Sequence, residues 1–488
     1  MTDFPLSDVV GALERENIFV QVNGALPEFA SNITDDSRRV KPGTLFIALA
    51  GVARDGHEFI SSARKAGAPA VLCEHAVDDP VPQIIVKNGR RAAGVAAAVA
   101  YRYPAAALSL TGVTGTNGKT TTAGMLRHLM DETIARSASI GTVGVLIGSE
   151  GEPLEGGDDL TTPGPVELQR VLRSLVDSHV RRVAMEVSSH SLDQRRVDGL
   201  EFQAAIFTNL TRDHLDYHGT MEHYREAKAR LLEYLKPGGV VVVNVDDAAW
   251  DSLPIHGTPV RFGIRKKADI MARSIVLTAA GSRWELCAGA KCHPVTLPML
   301  GDFNVMNALG AAAAMWGLGK PLSEIAEKLS NAPQVPGRLE IISRTPAVIR
   351  DYAHTPDALE RALRALRPIT AGRLICVFGC GGDRDKGKRP LMGRAAEELA
   401  DISVVTSDNP RTEPPETIID DIVAGMKTKN HERIADRHDA IARALSIASS
   451  DDVVLLAGKG HETYQIRGTE KFPFDEKLIV ALLTGAAQ

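Results

Sequence analysis

Aromatic residues make up only 5% of the 488 positions. That leaves few rings for the stacking platforms on which single-stranded nucleic acids bind. Neither charge is in surplus: 56 Lys and Arg face 61 Asp and Glu, a net charge of −5. A strongly basic nucleic-acid surface and a dominant acidic tail are both excluded. Only five cysteines occur, Cys73, Cys287, Cys292, Cys376 and Cys380, with no CxxC pair. Neither a disulfide framework nor a zinc knuckle is therefore expected. Cys376 and Cys380 are near neighbours, but two thiolates without a second pair do not close a metal site. No apolar run approaches the roughly 18 residues that a membrane span needs. Met1 to Glu16 lacks the basic-then-apolar order of a signal peptide. The expectation is a cytoplasmic protein that engages neither membrane nor nucleic acid.

What is present is an ordinary globular composition, 44% hydrophobic and 24% charged, and a length that suggests about three domains. A first segment to Tyr103 carries short strand candidates at Thr44–Leu49 and Ala70–Cys73, with a helical stretch from Phe59 to Ala66 between them. Pro104 closes it, because proline disfavours helix in the residue before it. A second segment opens with the apolar run Ala105–Val113 and continues through strand candidates Val183–Val187, Ala204–Phe207 and Val240–Val245. Helical patterns lie between the first of these, so the fold class is α/β, with a mainly parallel sheet covered on both faces. Arg261 to Thr296 reads as short alternating strands with a turn at Gly281-Ser282, and Asn304 to Leu318 as a small-residue helix. A third segment from about Val335 repeats the strand–loop–helix rhythm, with strands at Leu374–Phe378, Ile402–Thr406 and Val453–Ala457. Ligands of open parallel sheets sit beyond the carboxyl ends of the strands, so the loops there are the places to look for chemistry.

The first such loop is Gly112-Val113-Thr114-Gly115-Thr116-Asn117-Gly118-Lys119-Thr120-Thr121. It precedes a helix with Met125, Leu126, Leu129, Met130 and Ile134 on one face. Backbone N–H groups of Gly115 to Thr121 can cradle phosphates, Lys119 reaches the terminal ones, and the Thr120 hydroxyl suits Mg²⁺. ATP is the implied ligand. The usual P-loop has glycine at the position of Val113; here glycine stands at 112 and 115 instead.

That departure resembles the nucleotide loop of the Mur ligases, ATP-dependent enzymes that build the peptide stem of bacterial cell-wall precursors. Further motifs of the family stand in order along almost the whole chain. They are Asp36-Ser37-Arg38, Thr161-Thr162-Pro163, Met185 to His190, Thr208-Asn209-Leu210 and Asp213 to Asp216. Then come Gly301 to Asn307, Pro336 to Glu340, Asp351 to Pro356 and Asp408-Asn409-Pro410-Arg411. Within the family the resemblance is to the ligases that add the third residue, in the form that takes meso-diaminopimelate. It implies three domains: a small α/β domain at 1–103 for the UDP moiety, a P-loop-type ATPase domain at 104–334, and a Rossmann-like domain at 335–488 for the amino acid. The implied partners are small molecules: ATP, the UDP-N-acetylmuramoyl-dipeptide and meso-diaminopimelate. A monomer is expected.

The resemblance implies phosphoryl transfer from ATP to a carboxylate, then attack by an amine on the acyl phosphate, chemistry that rests on positioning and charge neutralisation. It assigns one Mg²⁺ to Thr120 and Glu186, and a second to Glu186, His214 and Lys228. A lysine ammonium cannot ligate a hard cation; the family's answer is a carbamylated lysine (N6-carboxylysine), here Lys228, with Lys119, Glu186, His214 and Lys228 as the catalytic set. Taken alone, Lys228 reads as an exposed helix lysine, and His214 and His190 as structural histidines. Glu186 stands better by itself, as an acid ending a strand of the P-loop sheet. Ser37 is implied at the UDP site beside a loop from Gly51 to His57. Thr161, Thr162, Ser188, Gln194 and Arg196 are implied at the dipeptide, although such hydroxyls also satisfy loop backbone. Asn307 is implied at adenine, Arg338 and Asp351 at the nucleotide, with His354 close by.

For the amino acid the resemblance implies Arg384, Asp408, Asn409, Pro410, Arg411, Gly458 and Glu462. Diaminopimelate differs from lysine by a distal carboxylate, so a cation that pairs only with that group, Arg411 or Arg384, discriminates between them; Gly458 and Glu462 take the distal amino group. The rival for Asp408–Arg411 is an Asn-Pro turn bearing a solvated arginine. Two rival functions are a folate- or cyanophycin-type ligase sharing the ATP domain, and an ATP-gated module without ligase chemistry. The Asp408–Arg411 and Asp36–Arg38 segments oppose the first. The second has no need of Glu186, His214 and Lys228 together.

Overall fold

A computed structural model describes residues 3–51, 54–154, 160–428 and 430–485 of the chain. It divides into two compact units, Met1–Ile270 with Leu309–Pro321, and Met271–Ala308 with Leu322–Gln488. Both are α/β, as the alternation of elements predicts.

In the first unit, strands Arg136–Gly141, Val180–Glu186, Ser109–Thr114, Phe202–Phe207, Leu235–Asn244 and Thr258–Gly263 lie side by side in that order, all parallel. Two antiparallel strands, Gly144–Ile147 and Glu152–Leu154, extend the edge next to Arg136–Gly141. The central strands read as continuous apolar runs because both faces are covered: Val183, Met185, Ala205 and Phe207 are all fully buried. Each such Val, Phe or Met contributes about 1.5–3 kcal/mol relative to exposure. A separate five-stranded sheet, in the order Phe19–Asn23, Gln83–Val86, Val71–Cys73, Thr44–Ile47 and Asn32–Thr34, forms the amino-terminal part of this unit.

The second unit holds a six-stranded sheet in the order Glu340–Arg344, Ala347–Asp351, Val453–Ala457, Leu374–Phe378, Ile402–Val405 and His431–Arg433. All neighbours are parallel except the first two, which form a hairpin. Leu374–Phe378 and Val453–Ala457 are buried throughout.

Four expectations are corrected in detail. The run from Ala105 is not strand at its start: Pro104–Ala107 is a 3₁₀ turn opened by the proline, and the strand is Ser109–Thr114. The helix after the nucleotide loop ends at Met130, leaving Ile134 outside it and 92% exposed. Asp131 ends that helix because its carboxylate accepts from the N–H groups of Ser137 and Ser149 and draws the chain aside. Gly281-Ser282 begins a strand, Gly281–Ala288, rather than making the turn before it. Finally, Cys287 and Cys292 are paired as a disulfide. They face each other across the hairpin of Gly281–Ala288 with Lys291–Leu297, a register that counting cysteines does not reveal. Among the described residues no helix is long and apolar enough to cross a membrane.

Candidate active site

The nucleotide loop joins the end of strand Ser109–Thr114 to helix Lys119–Met130. Gly115, at φ +145°, and Gly118, at +84°, hold conformations that side chains rarely adopt. A Cβ on Gly115 would also overlap the Thr208 hydroxyl. The loop is braced from the end of the neighbouring strand: Thr116 N–H donates to the Asn209 carbonyl at 2.7 Å, and Asn117 N–H to the Asn209 side chain at 2.9 Å. The motif Thr208-Asn209-Leu210 is thus a support for the loop. Lys119 folds back on the carbonyls of Gly115 and Thr116, at 3.0 and 2.8 Å.

Glu186 ends strand Val180–Glu186, in register with Val113, and is 1% exposed. Its carboxylate receives the Thr120 hydroxyl at 3.0 Å. Thr142, which the sequence did not single out, donates to it twice, from N–H at 2.8 Å and from its hydroxyl at 3.2 Å. Gly141 must be glycine, because a Cβ there would overlap the carboxylate. The sequence around position 142 carries no signal of this contact.

Lys228 is not the exposed helix lysine that its sequence context suggests. It is 1% exposed, with its ammonium on the Gly115 carbonyl at 2.8 Å and over the Tyr224 ring at 4.5 Å. Burial drives its pKa well below the ordinary value, and Lys119 adds to that. His214 lies at the edge of the same ring, 6.1 Å between centroids, and packs on His190 at 4.8 Å. Burial holds the His190 pKa down at about 4, helped by His214, His218 and Arg196. Desolvation also lowers His214, against the pull of Asp213. The oxygen pair Thr120–Glu186 is suited to a hard divalent cation, whereas Lys228 as an amine is not.

The residues expected at the dipeptide converge on the backbone next to Glu186. The Thr162 hydroxyl donates to the Glu186 carbonyl at 2.9 Å and accepts from Ser188 N–H at 3.1 Å. Thr161 meets Thr142 at 3.1 Å, hydroxyl to hydroxyl. Arg196 donates to the Thr162 carbonyl at 3.0 Å and to Gln194 at 2.7 Å. Ser188 also caps helix Ser189–Asp193, so part of its hydroxyl's capacity goes to local structure. Ser37 opens a 3₁₀ turn capped by Asp36 and lines a cleft of about 1040 Å³ together with Arg38, Phe59 and Arg170. Of the loop from Gly51 to His57, positions 52 and 53 lie outside the described residues. His57 is buried on Asp55 and the N–H of Glu74, which is a structural role.

In the second unit, Asn307 donates to Asn304 at 3.0 Å. Asp351 ends a strand and accepts from the N–H groups of Leu339 and Ala353; burial pushes its carboxyl up, against the pull of Arg338. The Arg338 guanidinium lies 4.7 Å from the Tyr352 ring centroid, and His354 packs edge-on against the same ring.

Asp351 is in register with Ala457, so the Gly458 loop leaves the sheet beside it. Arg384 and Arg411 flank Gly381: a Cβ built there would stand 2.9 Å from Arg411 Nη1 and 3.6 Å from Arg384 Cγ. Arg384 is exposed, while Arg411, at φ +51°, is anchored on the Gly382 carbonyl at 2.9 Å. Pro410, just ahead of Arg411, is buried. Asp408 and Asn409 are buried at the end of strand Ile402–Val405, and Asn409 donates to Glu462 at 2.9 Å. Gly458 faces Asp408, at 3.5 Å from its Cβ position to Oδ2. Two wholly buried cations underpin these loops. Arg389 donates to both carboxylate oxygens of Glu413 and also to Asp421. Arg437 pairs with Glu476 and donates to the carbonyls of Ser407 and Ala457, the residues just ahead of Asp408 and Gly458. A third, Lys459, lies within the cluster itself. Nothing in their spacing distinguishes these three from surface cations.

Three family models match the chain: the Mur ligase family catalytic domain at residues 30–105, the Mur ligase middle domain at 113–315, and the Mur ligase glutamate ligase domain at 337–460. A relative from Gloeobacter violaceus is 45% identical over 462 residues, which is 92% of each chain. One from Geobacillus kaustophilus is 43% identical over 456 residues, 91% of this chain and 92% of its own. Both are named UDP-N-acetylmuramoyl-L-alanyl-D-glutamate–2,6-diaminopimelate ligase. A solved structure of the same name superposes with a TM-score of 0.68 at 34% identity, covering 96% of this chain and 97% of the other. With models matched along all three segments and relatives this similar over nine-tenths of its length, the chain belongs to the Mur ligase family.

Proposed function

We propose that this protein is an ATP-dependent ligase that joins meso-diaminopimelate to the D-glutamyl carboxylate of UDP-N-acetylmuramoyl-L-alanyl-D-glutamate, releasing ADP and phosphate. The observation that carries the choice of amino acid is the pair of opposite charges in the second unit. Arg411 and Arg384 flank Gly381, while Asp408 and Glu462 are linked through Asn409 and the buried Lys459. The far end of diaminopimelate carries one carboxylate and one ammonium, and these two pairs complement it. The names of the relatives support the same reading.

The dipeptide carboxylate takes the terminal phosphoryl group of ATP, forming an acyl phosphate and ADP. The amine of diaminopimelate then adds to the acyl carbon, and the tetrahedral intermediate expels phosphate as the nitrogen loses a proton. The loop N–H groups not given to Asn209, those of Gly115 and of Gly118 to Thr121, and the Lys119 ammonium hold the phosphates. Thr120 and Glu186 are the residues that would hold Mg²⁺, with Glu186, His214 and Lys228 for a second ion. Bound Mg²⁺ supplies charge shielding between the carboxylate and phosphate oxygens. Lys228 qualifies only as a carbamate. Its burial beside Lys119 favours the neutral amine, which is the form that adds to CO₂, losing one proton to give an anion with oxygen donors.

Thr161, Thr162, Ser188, Gln194 and Arg196 orient the muramoyl-dipeptide, and Ser37 with its cleft takes the UDP moiety. Asn307, Arg338 and Asp351 serve the nucleotide, and Arg384, Asp408, Asn409, Pro410, Arg411, Gly458 and Glu462 the diaminopimelate. The working divisions are residues 1–103, 104–334 and 335–488, and the protein acts as a cytoplasmic monomer. The test is coupled ADP release with the UDP-dipeptide present and one amino acid added at a time. Diaminopimelate should support turnover and lysine should not; equal turnover with both overturns the assignment.

A further inference from the structure

Lys459 lies between the two amino-acid loops, in the turn after strand Val453–Ala457, and its side chain is 0% exposed. An ammonium has three N–H donors, and a buried one is tolerated only when they are all satisfied. Four oxygens surround it: the Tyr464 carbonyl at 2.8 Å, Asn409 Oδ1 at 3.0 Å, Glu462 Oε2 at 3.3 Å and Asp408 Oδ1 at 3.5 Å. Three of the four belong to residues assigned above to the amino acid.

These contacts set the orientation of one side chain through another. Asn409 Oδ1 accepts from Lys459 and from Ile466 N–H at 2.9 Å, so its carboxamide cannot turn over without facing both donors with its own N–H groups. Its Nδ2 is therefore directed to Glu462 Oε2, at 2.9 Å. Glu462 thus receives two donors on Oε2, which leaves Oε1 to meet a ligand. Asp408 Oδ1 is buried with no hydrogen bond, and Lys459 is the cation beside it. Without that cation, the buried Asp408 and the partly exposed Glu462 would be like charges with nothing of opposite sign between them.

We propose that Lys459 is a positioning residue for the amino-acid substrate: its buried ammonium fixes the Asn409 carboxamide and holds Asp408 and Glu462 as an ordered anionic pair for the substrate's distal ammonium. This rests on the diaminopimelate reading for the nature of the ligand, but not for the geometry. Lys459 touches no reacting atom, so its loss bears on amino-acid binding.

The test is steady-state ADP release by the full-length enzyme and by Lys459→Met, Glu462→Gln and the double variant, with each substrate varied in turn. For Lys459→Met the amino acid's KM should rise about tenfold or more, while the KM values of ATP and UDP-dipeptide and kcat change by less than about threefold. Because Lys459 acts in part through Glu462 and in part through Asn409 and Asp408, the KM rise of the double variant should fall clearly short of the product of the two single-variant rises. Multiplicative effects of the two substitutions overturn the proposal, as does an equal rise in the KM of ATP. If Lys459→Met does not fold, Lys459→Gln, which keeps a donor but not the charge, must show the same split. Should the wild type prefer another amino acid, the ligand assignment fails by itself, and the same cycle is read with the amino acid that is used.

Discussion

Thr142 grips Glu186 at both oxygens, its N–H donating to Oε1 at 2.8 Å and its hydroxyl to Oε2 at 3.2 Å. A buried carboxylate held in this way keeps one orientation toward Thr120, and a partner of this kind commonly tunes metal affinity by about 10–100-fold. Thr142→Val retains the backbone donor and removes the other. The expected result is a Mg²⁺ requirement raised about tenfold with little change in the thermal midpoint, read by titrating the metal at saturating ATP.

Lys228 should make the activity depend on dissolved CO₂. Enzyme degassed at mildly acidic pH should lose activity and regain it on addition of bicarbonate. Lys228→Ala should be inactive in both conditions. Full activity of that variant would remove Lys228 from the mechanism.

Arg411 is anchored on the Gly382 carbonyl in a left-handed backbone conformation, so its guanidinium is oriented before ligand arrives. Arg411→Ala should raise the KM for diaminopimelate by about 10–100-fold, the scale of a lost charge-assisted hydrogen bond. Its preference over lysine should narrow in step. Both follow from competition kinetics with the two amino acids.

His190 gives stability a pH dependence of defined sign. Its pKa is about 4 in the folded protein against an ordinary 6.5, so the unfolded chain binds the proton more readily between those values. The contribution is complete above pH 6.5 and is lost as pH falls from 6.5 through 4. His214 and His218 are shifted the same way by desolvation; Arg196 opposes protonation of His190, and Asp216 favours it. His190→Gln should flatten the decline of the thermal midpoint over this range. An unchanged slope would show that the ring is not held neutral.

Much of this was legible because it is local. The nucleotide loop, the strand ends and the arginine-bearing Asp408–Arg411 turn each declare themselves within ten residues. Whatever depends on distant strands meeting did not. Thr142 matters only because strand Arg136–Gly141 lies next to Val180–Glu186, and nothing near position 142 announces that. Lys228 looked solvated because its helix has charged neighbours, and only the packing of Tyr224 and the Gly115 carbonyl shows otherwise. The disulfide required a register, and Ile134 was lost to a helix end set by Asp131, whose partners lie six and eighteen residues on.

The Arg437–Glu476 pair ties the Asp408 and Gly458 loops to the helix Glu476–Leu483. Glu476 neutralises a guanidinium that draws together the carbonyls ahead of Asp408 and Gly458. Cutting the chain before Glu476 would strand that cation in a dry interior, a loss of about 3–5 kcal/mol. A protease that removes this helix therefore acts on the Asp408 and Gly458 loops through their scaffolding, without cutting either of them.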